Sequence, residues 1–247
     1  MTVSIEFDDA VATVTLSRPE KRNAFDAELT TALDSALNEL DDDPAVRVIL
    51  LAADGPAFSA GTDLKDGSGG RTGRGGFYGV TDRRRATPLI AVVEGPAIGG
   101  GFEVVLACDL VVASTDASFA LPEVSRGVVA TCGALFRGPR TLTTSQALDL
   151  LLTGDPIDAV QAHAWGIVNR LTAPDQALAQ ARELAHRIER NSPAAVTATL
   201  RAVQAIVGAA DSVGWQATEA AARFVLNSSD AAEGKRAFLE KRMPSWL

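Results

Sequence analysis

Short apolar runs alternate along this chain with longer segments of helical periodicity. The short runs are rich in valine, isoleucine and leucine, and they predict strands at residues 3–7, 11–17, 46–52, 89–94, 110–113 and 167–171. Helices are predicted from Asp26 to about residue 40, and then at residues 144–152, 158–165 and 174–190. The first two strands flank a short polar turn and should form a hairpin. Beyond residue 190 the chain is expected to end in several helices rather than in a sheet.

Residues suited to helix ends support these boundaries. Asp26 is a suitable N-cap, and the pair Ser192-Pro193 places a cap directly before proline at the first helical position. Gly154 is expected to stop the helix that precedes it. Asp230 and Glu233 resemble a capping box in which Asp replaces the usual Ser or Thr. A further helix is therefore predicted to begin near Asp230.

A glycine run lies between the fourth predicted strand and a helix that should open at Phe102 and Glu103. Gly99, Gly100 and Gly101 allow the backbone to approach a ligand closely. The first N–H groups of the helix lack partners inside it, so they would point toward negative charge. The pattern predicts an anion or oxyanion site. The alternative is that the glycines only permit tight packing of the helix against a strand.

Two glutamates flank this predicted site. Glu103 lies in the first turn of the helix, and Glu123 ends the next extended segment, in the run FALPE. A strand returning beside the helix would bring both carboxylates to one pocket. Addition or removal of water across a double bond needs such a pair, one carboxyl for the hydroxyl and one for the proton on carbon. The alternative is that they are unrelated surface charges.

Six segments resemble, in order, motifs of the enoyl-CoA hydratase (crotonase) family: SRPEKRNAF, AFSAGTDLKD, GPAIGGGFEVVLACDLVVAS, FALPE, LLLTGDPIDAVQAHAWGIVNRL and EGKRAFLEKRMPSW. The resemblance extends from about residue 4 to the C-terminus. It implies an α/β fold with a ββα spiral core over residues 1–190 and a helical oligomerisation region over residues 191–247. Family members form trimers that often pair into hexamers, so a homotrimer or hexamer is expected.

The resemblance also implies roles for individual residues. The main-chain N–H groups of Thr62 and Gly100 would bind the thioester oxygen, while Glu103 would activate water and Glu123 would deliver a proton. Positions matching the family's substrate contacts are Arg22, Ala24, Ala60 (through its carbonyl), Asp63, Leu64, Lys65, Ile98, Pro122, Thr131, Phe238 and Lys241. For Arg22 and Ala24 the alternative is a plain surface loop. For Phe238 and Lys241 it is a core aromatic and a solvated lysine.

Two segments differ from the best-known hydratases. Leu121 stands where those enzymes carry Gln, and residues 129–134 replace a glycine-rich segment in which a main-chain N–H, here that of Thr131, helps to place the water. The LPE run is similar to carnitinyl-CoA dehydratase-like members, which suggests a hydroxylated or branched acyl group. The expected activity is hydration of a 2-enoyl-CoA. The alternatives are double-bond isomerisation, dehydration of a hydroxyacyl-CoA, or acyl-CoA binding without catalysis.

Residues 66–87 form a glycine-rich and arginine-rich segment. It is interpreted as a mobile loop followed by a charged helix face. The alternative is that it covers the acyl pocket and that one or two of its arginines bind CoA phosphates. Phe77 and Tyr78 are the candidates for setting acyl chain length, because the matching segment shapes the acyl pocket in the family.

The composition and charge of the chain disfavour several classes of binding partner. The net charge of −8 argues against a nucleic-acid-binding surface, and the apolar run around residues 89–113 is interrupted by acidic residues, which disfavours a membrane span. The two cysteines and two histidines show no metal-ligand spacing. The N-terminus shows no secretory signal, so a cytoplasmic enzyme is expected. No cofactor is expected, since CoA would enter as part of the substrate.

Overall fold

The computed structural model describes residues 2–63, 65 and 69–246. Its main sheet has six strands in the order β1-β2-β3-β6-β8-β11. The strands are β1 (Val3–Asp8), β2 (Val11–Leu16), β3 (Val48–Ala53), β6 (Leu89–Val93), β8 (Leu110–Ser114) and β11 (Arg170–Thr172). The first two strands form the predicted antiparallel hairpin, and every other neighbouring pair is parallel.

Two smaller sheets complete the β structure of the described residues. One is a three-stranded sheet in the order β10-β9-β7, and the other is the hairpin β4-β5. Their strands are β4 (Arg71–Thr72), β5 (Gly76–Phe77), β7 (Ala97–Ile98), β9 (Ser118–Ala120) and β10 (Ile157–Asp158). Strands β7 and β9 are parallel, and they lie on either side of helix α2 in the chain.

The helices are α1 (Ala27–Asp42), α2 (Gly100–Ala107), α3 (Ala134–Thr141), α4 (Thr144–Thr153), α5 (Ala159–Ala164), α6 (Ala177–Glu189), α7 (Pro193–Val207), α8 (Asp211–Leu226) and α9 (Ser229–Glu240). Short 3₁₀ turns lie at Pro19–Lys21, Pro122–Arg126 and Gly208–Ala210. The Asp26 side chain accepts a hydrogen bond from the Leu29 N–H, and Ser192 caps α7 with Pro193 at its first position, so both predicted caps are confirmed.

The core has a layer on each face of the main sheet. Strand β3 is buried on both faces, because Ile49 and Leu51 face one layer while Val48 and Leu50 face the other. The first layer contains the leucines of α1 and the apolar side chains of α2. The second layer is closed by α6 through alanines at residues 177, 181 and 185. The continuous apolar character of the parallel strands follows from this double burial.

Some predicted boundaries were wrong. Helix α2 begins at Gly100 rather than at Phe102, because the glycines adopt the first helical turn. The capping box at Asp230 and Glu233 is absent: the helix already begins at Ser229, and Glu233 instead accepts hydrogen bonds from arginines and from the Ser245 N–H. Helix α3 and strands β7 and β10 were not predicted, whereas strand β9 lies in the extended segment predicted before Glu123.

The chain ends in helices, as predicted. The helical run Pro193–Leu226 has 34 residues, and its most apolar window has no buried residues. By length and composition alone this run would suffice to cross a membrane, and it is the only such run among the described residues. A single run of this kind is weak evidence for a membrane span. The division of the chain at residue 190 stays a prediction.

Candidate active site

Two segments of main chain meet at the N-terminus of α2. The N–H of Ile98 donates to the carbonyl of Ser59 at 2.9 Å, which joins β7 to the turn at residues 59–62. Gly61 has φ of +83°, and a Cβ there would lie 2.9 Å from the Ile98 oxygen and 3.0 Å from the Gly100 nitrogen. Only glycine fits this approach. The contact places Thr62 directly beside Gly100.

The N–H groups of Thr62 and Gly100 donate to no acceptor among the described residues. Gly100 is the first residue of α2, so its N–H has no intrahelical partner. Two neighbouring, unpaired main-chain donors at a helix N-terminus form a site suited to an oxyanion. The interpretation of the glycine run as packing alone does not account for these unpaired donors.

Glu103 projects from the first turn of α2 into the protein and is only 2% exposed. Its Oε1 accepts two main-chain hydrogen bonds, from the N–H of Cys132 at 2.8 Å and from the N–H of Ala134 at 3.0 Å. Burial raises the pKa of Glu103, while these two donors partly offset that effect. The turn at residues 132–134 therefore fixes the carboxylate and favours its charged form.

Strand pairing brings Glu123 to the same place. In the parallel pair β7 and β9, the N–H of Gly99 donates to Ala120 at 2.8 Å, and Glu123 follows in the next 3₁₀ turn. A Cβ on Gly99 would lie 2.9 Å from the Glu123 Oε1. The Glu123 Oε2 is buried and has no partner among the described residues. Burial, followed by the charge of Glu103, raises the pKa of Glu123 to about 7.

The two carboxyls therefore differ in character. Glu103 accepts two N–H groups, whereas one oxygen of Glu123 is unsatisfied and faces the negative charge of Glu103. Such an environment leaves Glu123 partly protonated near neutral pH, while the two N–H donors favour the charged form of Glu103. Carboxyls in such different surroundings suit a general base and a general acid.

A tyrosine lies against both oxyanion residues. The Tyr78 hydroxyl is 2.8 Å from the Thr62 Oγ1, and a Cβ on Gly100 would overlap that hydroxyl. The ring stacks on Phe25 with centroids 4.6 Å apart. Burial raises the pKa of Tyr78 well above its ordinary value, with further increases from Cys132 and Glu103. The phenol therefore stays protonated.

The predicted CoA-binding positions of the first two motifs lie together. The Ala60 N–H donates to the carbonyl of Arg22, and Arg18 bridges the carbonyl of Ala24 and the carboxylate of Asp63. Burial opposes ionisation of Asp63, but the Lys65 N–H and Arg18 outweigh it, so the pKa of Asp63 is lowered. Arg22 and Lys65 are exposed. The predicted contact at Leu64 lies outside the described residues.

The other predicted contacts are more dispersed. Ile98 and Pro122 directly precede the glycine run and Glu123, and Thr131 adjoins the turn that holds Glu103. The Thr131 side chain also lines a cavity of about 250 Å³ between β5 and α8. Phe238 is 46% exposed and packs under the guanidinium of Arg126, 5.2 Å from the ring centroid. Lys241 is exposed at the end of α9, away from the carboxyls.

The arginine-rich segment is largely engaged in internal ion pairs. Arg71 pairs with Asp82, Arg74 with Asp41 and Asp42, Arg83 with Asp34, and Arg85 with Asp109. Residues 71–77 form the β4-β5 hairpin rather than part of an irregular loop. Arg84 is exposed and forms no ion pair with the described residues. These pairs explain why the segment is so rich in arginine.

Sequence reasoning missed three features of the site. The N–H groups of Cys132 and Ala134 fix Glu103, and Arg137 braces the same turn by donating to the Cys132 carbonyl at 3.4 Å. The Tyr78 hydroxyl was expected only to influence chain length. Gly133, which has φ of +117° at the start of α3, was the one local signal for a tight turn here.

The fold and the site define the class of protein. A spiral of parallel strands that delivers two main-chain donors, the buried Glu103 and the half-buried Glu123 to one helix N-terminus is the crotonase fold. The chain belongs to the enoyl-CoA hydratase/isomerase family, whose sequence model matches residues 6–247.

Two curated relatives are similar to this chain over nearly its whole length. The mevalonyl-coenzyme A hydratase of Aspergillus fumigatus is 38% identical over 250 residues, which cover 94% of this chain and 90% of that protein. The carnitinyl-CoA dehydratase of Salmonella arizonae is 38% identical over 244 residues, covering 94% and 93%. Both are named as hydro-lyases of acyl-CoA thioesters.

Solved structures agree with this assignment. A carnitinyl-CoA hydratase from Mycobacterium avium superposes with a TM-score of 0.93 at 39% identity, covering 99% of this chain and 98% of that chain. An enoyl-CoA hydratase from Mycobacterium tuberculosis superposes with a TM-score of 0.81, also at 39% identity, covering 100% and 98%. The predicted family and fold class are therefore confirmed.

Proposed function

We propose that this protein is an enoyl-CoA hydratase that adds water syn across the double bond of a 2-enoyl-CoA thioester. The observation that carries the proposal is the placement of Glu103 and Glu123 beside the unpaired N–H groups of Thr62 and Gly100. The relatives named as acyl-CoA hydratases and dehydratases support the same reaction class.

In the proposed reaction, the thioester oxygen binds between the N–H groups of Thr62 and Gly100. These donors stabilise the negative charge that develops when water attacks the β-carbon, and each such donor contributes about 3 to 4 kcal/mol in comparable sites. Because the donors belong to the main chain, Thr in place of the commoner Ala at residue 62 keeps the interaction.

The two glutamates divide the proton transfers. Glu103 accepts a proton from water as the water oxygen bonds to the β-carbon, and Glu123 gives its proton to the α-carbon. Product is then the 3-hydroxyacyl-CoA, Glu103 is protonated and Glu123 is charged. Transfer of one proton from Glu103 to Glu123 restores the starting state. The pKa of about 7 at Glu123 suits a group that must begin protonated.

Dehydration of a hydroxyacyl-CoA is the second candidate. It is the reverse of the same steps, and it is favoured by the relatives named carnitinyl-CoA dehydratase. Leu121 beside Glu123 is buried and brings no polar group to the site, unlike the Gln of the best-known hydratases. The two directions differ in which glutamate must begin protonated, and the acyl group that gives the highest kcat/KM, unsaturated or hydroxylated, identifies the substrate.

To test this, the purified protein is mixed with crotonyl-CoA or with a longer 2-enoyl-CoA, and the ultraviolet absorbance of the enoyl thioester is followed. We expect loss of absorbance with formation of 3-hydroxyacyl-CoA. Glu103→Gln and Glu123→Gln should each lower kcat by about 100- to 10,000-fold with little change in CoA-ester affinity. The exposed Glu39→Gln is the matched control. Wild-type rates in both active-site variants would refute the assignment.

We also propose that copies associate through the C-terminal helices. Helices α7 and α8 expose large apolar side chains at Val203, Ile206, Val207, Val213, Phe224 and Leu226. A soluble monomer rarely exposes so many together, and burial against other copies would remove them from water. Light scattering of the purified chain should give a trimer or hexamer, and a monomer at micromolar concentration would contradict this.

A further inference from the structure

Tyr78 forms a wall of the pocket that the proposed function assigns to the acyl group. Its ring lies between Gly69 and Gly100, and a Cβ on either glycine would overlap it. The side chain is only 3% exposed. An acyl chain held at the N–H of Gly100 therefore meets the phenol instead of open space.

The tip of this wall is polar. The Tyr78 hydroxyl bonds with the Thr62 Oγ1 at 2.8 Å, and the Cys132 thiol and the Glu103 carboxyl also face it. An alkyl chain pressed against these groups would exclude water without meeting their remaining capacity for hydrogen bonds, which is costly in a buried site. A hydroxyl on the acyl group would instead supply a partner.

The wall is also rigid. Tyr78 stacks on Phe25, which is fully buried, and its φ of +55° is an unusual backbone conformation held by surrounding contacts. Its N–H donates to the Gly70 carbonyl at 3.3 Å. A hydroxyl fixed in this way is already oriented when ligand binds, so little ordering cost opposes its hydrogen bond.

We propose that Tyr78, oriented by Thr62, is a specificity-determining residue that admits short acyl groups bearing a hydroxyl on carbon 4 and excludes long unbranched alkyl chains. The oxyanion donors fix the thioester oxygen, and the two glutamates face carbons 2 and 3. The next carbon is the one that reaches the Tyr78 hydroxyl. This inference rests on the proposed function, because it takes the substrate to be an acyl-CoA bound at that site.

The test measures dissociation constants by calorimetry for butyryl-CoA, 4-hydroxybutyryl-CoA and octanoyl-CoA. None of these esters carries a double bond to hydrate, so binding is read without turnover. The wild type should bind 4-hydroxybutyryl-CoA about tenfold more tightly than butyryl-CoA. Tyr78→Phe keeps the ring and should reduce this ratio to about one. Tyr78→Ala should tighten octanoyl-CoA binding about tenfold or more.

A direct structural readout is available because Tyr78 is the only tyrosine of the chain. Labelling tyrosine with ¹³C at the ring carbon bearing the hydroxyl gives a single NMR signal, which 4-hydroxybutyryl-CoA should shift more than butyryl-CoA. The exposed Phe7→Leu is the control for an aromatic substitution elsewhere. It should change none of the three affinities.

Two results would overturn the inference: an unchanged hydroxyl preference in Tyr78→Phe, or no gain in octanoyl-CoA binding in Tyr78→Ala. Failure of the proposed function looks different. In that case no enoyl-CoA is hydrated, but the binding ratios and their loss in Tyr78→Phe are as expected. The proposed hydratase reaction is then refuted, while the role of Tyr78 in selecting the acyl group is retained.

Discussion

Gly234 of α9 packs directly on the main-chain carbonyl of Arg126, so closely that a Cβ on residue 234 would overlap the oxygen. Gly127 faces the same helix, since a Cβ there would overlap the carbonyl of Asp230. The main chain of the C-terminal helix is thus in direct contact with the main chain of the 3₁₀ turn that carries Glu123. The C-terminal helix is therefore part of the support of the active site.

Gly234→Ala should displace that turn. We expect the free energy of unfolding to fall by about 1 to 3 kcal/mol, because the added methyl cannot be accommodated without backbone movement. The turnover number should fall at least tenfold, since Glu123 moves with the turn. Gly73→Ala is the control, because a Cβ there meets nothing within 4 Å. Unchanged kcat and melting temperature in Gly234→Ala would contradict the packing argument.

The pH dependence of the hydration rate should follow the ionisation of Glu123. Its pKa is raised to about 7, and the proposed acid must begin protonated. The kcat/KM for hydration should therefore fall as pH rises through about 7. Dehydration should follow the same profile, because it is the reverse of the same steps and the overall reaction takes up no proton. Initial rates in both directions between pH 5 and 9 check this. A hydration rate that stays flat to pH 9 would remove Glu123 as the acid.

Glu123 should also reduce stability at high pH. Its folded pKa of about 7 exceeds the ordinary value of 4.5, so its protonated form favours folding. That contribution is complete below pH 4.5 and is lost as pH rises through 7. Glu123→Gln cannot ionise, so its free energy of unfolding should exceed that of the wild type by about 2 to 3 kcal/mol at pH 8. Urea unfolding at pH 5 and pH 8 measures the difference, which should fall to about 1 kcal/mol or less at the lower pH.

Arg137 should lower the pKa of Glu103, the proposed general base. It stacks on Phe136 at 4.8 Å from the ring centroid, donates to the Cys132 carbonyl, and its charge lowers the pKa of Glu103 against the larger effect of burial. Arg137→Met should raise the pKa of Glu103, so the acidic limb of the kcat/KM profile should move to higher pH.

Arg137→Lys keeps the charge and should restore most of that profile. Arg140→Met is the control: Arg140 also stacks on Phe136 but pairs with Asp211 on the outside. A profile in which Arg137→Met and Arg140→Met shift equally would show that the effect is structural rather than electrostatic.

Phe102 and Phe119 pack against each other in the core, beneath the candidate active site. Both rings are fully buried, with centroids 5.2 Å apart, one on α2 and the other on β9. Phe119→Ala should lower the free energy of unfolding by about 3 to 5 kcal/mol through lost burial and the cavity left behind. Chemical denaturation tests this against Phe7→Ala, whose ring is 62% exposed and should cost far less. Similar losses in the two variants would contradict it.

Local patterns in the sequence predicted much of the fold. The hairpin, the parallel strands, the caps at Asp26 and Ser192 and the helical C-terminus follow from periodicity and capping chemistry, which act over a few residues. The capping box at Glu233 failed because a tertiary interaction with Arg242 competes for its carboxylate. Helix α3 was missed because Gly138 and Pro139 lie inside it, and both residue types usually interrupt a helix.

The site was predictable where main chain and neighbouring sequence determine it. The glycines and Glu103 lie within one helical turn, so their proximity is local. The partners of Glu103 come from a turn near Cys132, and Tyr78 is held by Phe25 and Gly100, which are distant in the chain. Such contacts depend on how elements pack, and no short pattern encodes them.

The two donors of the oxyanion site are peptide N–H groups, whereas the acid, the base and the pocket wall are side chains carried by three separate elements. Substitution can therefore alter Glu123, Glu103 or Tyr78 one at a time without removing the two main-chain donors. In the proposed function these donors bind the thioester oxygen, so a descendant that lost either carboxyl would keep that interaction while a different side chain decided the product.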